Sequence, residues 1–175
     1  NMLGRAWERG WGVRRDVGQA KEYFEAAASC GDGWAEFNLG DLYQTGDGVP
    51  SDSIRAYGHY TRAARRGVAK ALNMLGLLHE EGVMNGPDPT GAREFFQAAA
   101  ESGDCWACMN MGRLCLDENN ISEAVKWFDR SLSTGFPEFW RTLGMFLKTS
   151  PVPVLRDLAY RARALSDCAG KKKSL

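Results

Sequence analysis

The feature that most constrains this chain is a glycine that returns on a fixed beat. Gly4, Gly40, Gly76 and Gly112 are each 36 residues apart, and Gly144 follows 32 residues later. Leucine precedes all but one of them, at Leu3, Leu39, Leu75 and Leu143, with Met111 in the fourth place. Four further series keep the same register: Ala20, Ala56, Ala92 and Ala124; Gly31, Gly67, Gly103 and Gly135; Asp16, Asp52 and Asp88; and the aromatic set Phe24, Tyr60, Phe96 and Phe128. Self-similarity at this period is the signature of a stacked repeat array.

Each unit reads as two helices. From Trp34 to Gln44 the apolar residues Ala35, Leu39, Leu42 and Tyr43 recur at helical spacing. Gly46-Asp47-Gly48 interrupts that pattern, because glycine readily takes the positive φ of a tight helix exit. Asp52 is placed to cap a second helix that carries Ile54, Ala56, Tyr57, Tyr60, Ala63 and Ala64, and Gly67 ends it. No segment alternates as a strand does. The four residues missing from the fourth unit fall between Gly112 and Ala124, where their loss shortens a loop and spares both helices. A glycine inside a helix, as at Gly40, costs about 1 kcal/mol relative to alanine. The cost makes sense if the missing side chain lets another helix come close, and Ala63-Ala64 would serve the same end.

These residues resemble the Sel1-like repeat family, whose pattern runs A-x-x-x-L-G-x-x-Y-x-x-G-x-G-V-x-x-D and then A-x-x-W/Y-Y/F-x-x-A-A-x-x-G. Residues 35–67 carry it through Ala35, Leu39, Gly40, Tyr43, Gly46, Gly48, Val49, Asp52, Ala56, Tyr60, Ala63, Ala64 and Gly67. The third unit departs at Asn85-Gly86-Pro87, and the fourth has Ser131-Leu132 for the alanine pair. The resemblance implies an all-α, right-handed solenoid of antiparallel helix pairs. Its expected units are about 1–31, 32–67, 68–103, 104–135 and a partial 136–149. Residues 150–169 are expected to form a capping helix with an apolar stripe of Leu155, Leu158, Ala159, Ala162 and Leu165, and residues 170–175 a solvated tail. The chain enters its first unit inside a helix, which leads to the expectation of further repeats or another domain upstream.

Composition narrows the function. Lysine plus arginine and aspartate plus glutamate number 22 each, so the chain lacks the basic surplus of a general nucleic-acid binder. No apolar run reaches the roughly 20 residues of a membrane span. The two Gly-x-Gly steps, at Gly10 and Gly46, belong to repeat loops and do not extend to a phosphate-binding motif. His59 aligns with Tyr23, Phe95 and Trp127 in an aromatic ladder, and His79 occupies a core position of a first helix. Cys105 and Cys108 form a C-x-x-C at a helix start, where the helix dipole can lower a thiol pKa, and Cys115 lies two turns beyond. With His79 these thiols invite a zinc or redox reading. The spacing is not that of a zinc motif, so buried small hydrophobes are the expectation and no cofactor or metal is assigned.

Some secreted members of the family staple each unit with cysteines about eight residues apart. Here the position paired with Cys108 is Ala100, so that framework is absent and the five cysteines leave one odd thiol. This points to a reducing, cytoplasmic compartment, with the periplasm as the alternative. The terminal Lys172-Lys173-Ser174-Leu175 resembles a retrieval tail, but such a signal needs a membrane anchor and no apolar run in this sequence is long enough to supply one, so a chance match in a short basic tail is the expectation.

No nucleophile, base and orienting group come together in the sequence, and the chain is not expected to be an enzyme. Function is expected on a concave groove lined by the first helix of each pair, binding a protein or peptide, with no nucleic acid and no membrane insertion. The face of that helix turned away from the core holds Trp34, Asn38 and Asp41, then Asn73 and Leu77, then Trp106, Asn110 and Arg113, and finally Arg141. Tryptophan and arginine are frequent binding anchors, and asparagine can pair in both directions with a peptide backbone. The leading reading is therefore an adaptor or scaffold. The resemblance also allows a bacterial immunity or host-interaction protein acting on a toxin or receptor, and the C-x-x-C leaves a thiol-dependent redox enzyme as the remaining alternative.

Overall fold

The computed structural model describes residues 1–171, and among them it contains ten α-helices and no strand. In chain order these are α1 Met2–Arg9, α2 Val17–Ser29, α3 Gly33–Thr45, α4 Ser53–Arg65, α5 Ala69–Glu81, α6 Pro89–Glu101, α7 Cys105–Asp117, α8 Ile121–Thr134, α9 Pro137–Leu147 and α10 Pro153–Lys171. The chain forms two compact units that divide within α6, after Phe95.

In the first unit α1 packs on α2 and α3 on α4, while α2 also meets α3 and α4 meets α5. The repeated glycine explains the pairing. A Cβ built on Gly40 would stand 2.6 Å from the Tyr60 ring, and one on Gly4 would stand 2.5 Å from the Phe24 ring. Neither ring has any exposed surface. The aromatic of the second helix thus lies directly on the backbone of the first, and only glycine leaves room for it. Burying such a ring contributes up to about 3 kcal/mol, which outweighs the ~1 kcal/mol that glycine costs the helix. Leu39, Leu42, Leu75 and Leu78 fill the space around the rings, all nearly or fully buried.

Caps fix the ends of several helices. Asp16 accepts from the Gln19 amide at 3.0 Å, Asp52 from Arg55 at 2.9 Å and Asp88 from Gly91 at 2.9 Å, so the aspartate series caps the second helices. Gly46 closes α3 in the left-handed region, with φ 72°.

The second unit pairs α7 with α8 and α9 with α10. Gly112 and Phe128 repeat the glycine–ring contact, at 2.5 Å for a built Cβ. The shortened loop is confined to Glu118, Asn119 and Asn120. Asn119 takes the left-handed conformation, at φ 57°, that glycine takes elsewhere, and Asn120 caps α8 through the Glu123 amide. Ser131, in the place of an alanine, is buried and satisfies its hydroxyl by donating to the Phe128 carbonyl at 2.6 Å.

α10 runs antiparallel to α9, with the Ser166 hydroxyl donating to the Pro137 carbonyl at 3.3 Å. Leu155, Leu158, Ala159 and Ala162 are buried against Phe139, Leu143 and Leu147. Leu165, expected on the same stripe, is 38% exposed and so lies outside the buried part of that stripe. Residues 170 and 171 extend this helix instead of starting a tail, and residues 172–175 lie outside the described residues.

Candidate functional site

In the first unit the structure brings together Trp34, Phe37, Asp41 and Lys70. Trp34 sits in the first turn of α3, which Asp32 caps by accepting from the Trp34 and Ala35 amides at 2.8 and 3.1 Å. Trp34 is 48% exposed. Phe37 meets its indole edge-on at 5.7 Å between ring centroids, and the Lys70 ammonium lies 5.9 Å from the indole centroid. Asp41 lies two turns along the same helix and accepts from the buried Tyr60 hydroxyl at 2.7 Å. Burial pushes the Asp41 carboxyl up to about 6, and the charge of Glu8 adds to this. The Tyr60 hydrogen bond and the cations Arg5 and Lys70 act in the opposite direction.

Two asparagines do not stand where the sequence places them. Asn38 and Asn73 are only 4% and 7% exposed, so neither presents an open amide to a peptide. Residues from α1 and its N-cap close over Asn38. Its amide donates to the Asn1 side chain at 2.9 Å, and its oxygen accepts from Arg5 at 3.3 Å. Leu77 is half-buried. In the second unit Trp106 is also half-buried, edge-on to Phe139 at 5.0 Å and so partly committed to the core. Asn110 and Arg113 are half-buried, and Arg113 reaches Asp117 at 3.7 Å. Arg141 is exposed on α9.

The titratable residues singled out in the sequence are tied into local structure. His59 stacks on Tyr43, with 5.4 Å between centroids and an 11° tilt, and its Nδ1 lies 2.8 Å from Glu36. Burial pushes the Glu36 carboxyl up, but hydrogen bonds from His59 and from Arg62 at 3.0 Å more than offset that and hold it below the usual range. His79 is half-buried beside the loop after α5, with Tyr57 at 3.2 Å and Asp88 at 3.1 Å. The hydroxyl in this chain is a phenol and the carboxylate already caps α6, so the trio fastens a loop.

Cys105, Cys108 and Cys115 are buried, whereas Cys30 and Cys168 are exposed. Burial pushes the Cys108 thiol up to about 11, against the pull of Arg130 and with Asp104 adding to the rise. Desolvation therefore outweighs the helix-start effect at Cys108, and its thiol is the opposite of an activated one. Among the described residues, no group of three or more histidine, cysteine or acidic side chains is placed to hold a metal, and no helix is long and apolar enough to cross a membrane.

Paired helices locked glycine to ring define a helical repeat protein. The family model for the Sel1 repeat matches residues 1–32, 35–68, 69–104 and 107–133, and the chain belongs to the Sel1 repeat family. It is 27% identical over 173 residues to an exopolysaccharide production negative regulator of Rhizobium meliloti (strain 1021), an alignment covering 89% of this chain and 64% of that protein. It is 24% identical over 132 residues to chitin synthase regulatory factor 3 of Schizosaccharomyces pombe (strain 972 / ATCC 24843), covering 75% of this chain and 11% of the relative. The chain thus spans less than two thirds of the length of these curated relatives. Among solved structures, a Sel1 repeat protein from Oxalobacter formigenes is similar with a TM-score of 0.76 and 28% identity, covering 98% of this chain and 71% of that one. A protective antigen present in uropathogenic Escherichia coli strains shares the fold with a TM-score of 0.77 at 24% identity, over 97% of this chain and 38% of its own.

Proposed function

We propose that this chain is a non-catalytic interaction module that holds a partner protein within a regulatory assembly. The observation that carries the reading is the half-exposed Trp34, backed by Phe37 and flanked by Lys70 and Asp41 on the first-helix face of the first unit. A rigid indole left open to water, with an aromatic support and charges at its edge, is the composition of a binding hot spot inside a polar rim. The names of the relatives, a negative regulator and a regulatory factor, support a regulatory setting. The partner docks on side chains that are already ordered, which keeps the entropic cost of association low.

The test uses the Lys70 amine as a reporter. Amine-reactive cross-linking in extracts of the source cell, read by mass spectrometry, is expected to join a discrete partner to Lys70. Trp34→Ala is expected to reduce that product roughly tenfold or more, the loss of a single aromatic anchor. Undiminished cross-linking by the folded Trp34→Ala protein sinks the reading.

A further inference from the structure

The α9–α10 pair carries the repeat glycine without the repeat ring. A Cβ built on Gly144 would meet the Ala159 carbonyl at 3.4 Å and the Ala162 methyl at 3.7 Å, ordinary contacts with small groups. A pocket of about 330 Å³ lies beside it, between the two helices. Its apolar lining is Trp140, Gly144 and Met145 from α9 with Ala159 and Tyr160 from α10. The Trp140 indole is fixed as a wall by donating to the Leu132 carbonyl at 3.0 Å. Met145 and Tyr160 stand at the mouth, 72% and 71% exposed.

The rim is cationic. Arg141, Lys148, Arg156 and Arg163 line the pocket against the single carboxylate of Asp167. Arg156 is spent on the Ser150 and Pro151 carbonyls at 2.9 and 3.0 Å, and Arg163 faces Asp167 at 3.9 Å. Arg141 in α9 and Lys148 at its C-terminal cap are exposed, one on each side of Gly144 in the chain. Four cations around one apolar slot are a local excess, since the chain as a whole carries equal numbers of acidic and basic residues.

We propose that this pocket takes an acidic segment of a partner protein, with one aliphatic or aromatic side chain entering between Met145 and Tyr160 and flanking carboxylates on Arg141 and Lys148. The volume is at the lower end of ligand sites, the right scale for a side chain or two and too small for a folded surface. The cations select the sign of the visitor and speed its arrival, while the apolar floor supplies the anchor. The proposal rests on and deepens the reading that the chain holds a partner protein, and adds a contact in the second unit to the Trp34 face of the first.

A random dodecapeptide display library panned on the whole chain is the test, with the Arg141→Glu, Lys148→Glu double variant as counter-target. Both side chains are exposed, so the variant is expected to keep the parent melting temperature; if it does not, the milder Arg141→Gln, Lys148→Gln pair replaces it. Selected peptides are expected to be acidic around an aliphatic or aromatic residue. They should lose roughly tenfold in affinity on the variant, lose as much when glutamines replace their carboxylates, and weaken with salt. The proposal is overturned by no enrichment, by neutral or basic peptides, or by equal affinity for the double variant. It is also overturned if phosphatidylserine vesicles or a single-stranded oligonucleotide bind more tightly than the peptides. Peptides lost on Trp34→Ala but kept by the double variant would refute the pocket and leave the partner-holding reading standing.

Discussion

In the α3–α4 pair, Gly40 lies beneath the Tyr60 ring and the two helices close on a filled, solvent-free contact. In the α9–α10 pair the same Leu-Gly step, Leu143-Gly144, faces Ala159 and Ala162, and a tyrosine of α10, Tyr160, points into solvent. Both first helices bury their leucines, so both pairs are held by apolar packing. They differ in what occupies the space the glycine opens. A ring there makes a lock; small side chains there leave a pocket. The same signature in a first helix thus serves stability in one pair and leaves a binding-sized space in the other, according to what the second helix brings.

Truncation of the ring should separate the pairs most sharply. Tyr60→Ala is expected to cost about 3–5 kcal/mol in chemical denaturation, the penalty of an emptied aromatic site. A loss below about 1 kcal/mol would show that the ring is no lock. Gly40→Ala should cost roughly 2 kcal/mol, because the new methyl meets the Tyr60 ring at 2.6 Å and the ring has nowhere to retreat.

The next effect is one of pH. Position 41 is an aspartate in α3, and its counterpart in α9 is Met145. With Asp41 at about 6 in the folded protein and an ordinary value near 3.8 in the unfolded chain, the folded state holds a proton between those limits that the unfolded state has released. This group's contribution to stability is therefore full below about pH 4 and is lost as the pH rises through 6. The expected size is on the order of 2 kcal/mol, reduced from the full shift because Asp41 is not wholly enclosed. Glu8, Arg5, Lys70 and Tyr60 face the same carboxyl, and other acids titrate nearby, so the informative quantity is the difference between the parent and Asp41→Asn across pH 4–7. Parallel pH profiles for the two proteins would remove Asp41 from the account.

In the closing pair the effects shrink or change sign. Gly144→Ala should stabilise by up to about 1 kcal/mol, since alanine is the better helix former and the added methyl finds ordinary contacts. Tyr160→Ala should stay within about 0.5 kcal/mol. A large loss at either position would mean that α10 packs on α9 as tightly as α4 does on α3.

The repeat was legible because each part of it answers one steric demand. At Gly4, Gly40 and Gly112 a ring fills the space the glycine leaves, a second helix needs a capping side chain to start it, and a loop can lose residues where a helix cannot. Those demands recur at fixed spacing, so Gly40, Tyr60 and Asp52 could be read together. The binding face was less legible. Asn38 is covered by Asn1 and Arg5, which lie 37 and 33 residues upstream, and helical periodicity within one unit carries no information about what a neighbouring unit lays over it. The charges around Asp41 have the same origin, since Glu8 and Arg5 also belong to the preceding unit. The pocket residues Trp140, Lys148 and Tyr160 were absent from the sequence-based candidates, yet a signal existed. The aromatic series stops at Phe128 while the glycine series continues to Gly144, and the mismatch marks the pair whose gap has no ring to fill it.

The division of the thiols into two exposed and three buried has a practical side. Cys30 belongs to the first compact unit and Cys168 to the second, so the unaltered chain already offers one labelling handle in each. A donor and an acceptor dye attached under native conditions would sort between these two sulfurs, while Cys105, Cys108 and Cys115 stay shielded. Energy transfer between the dyes then reports the distance between these two sulfurs, with and without a partner.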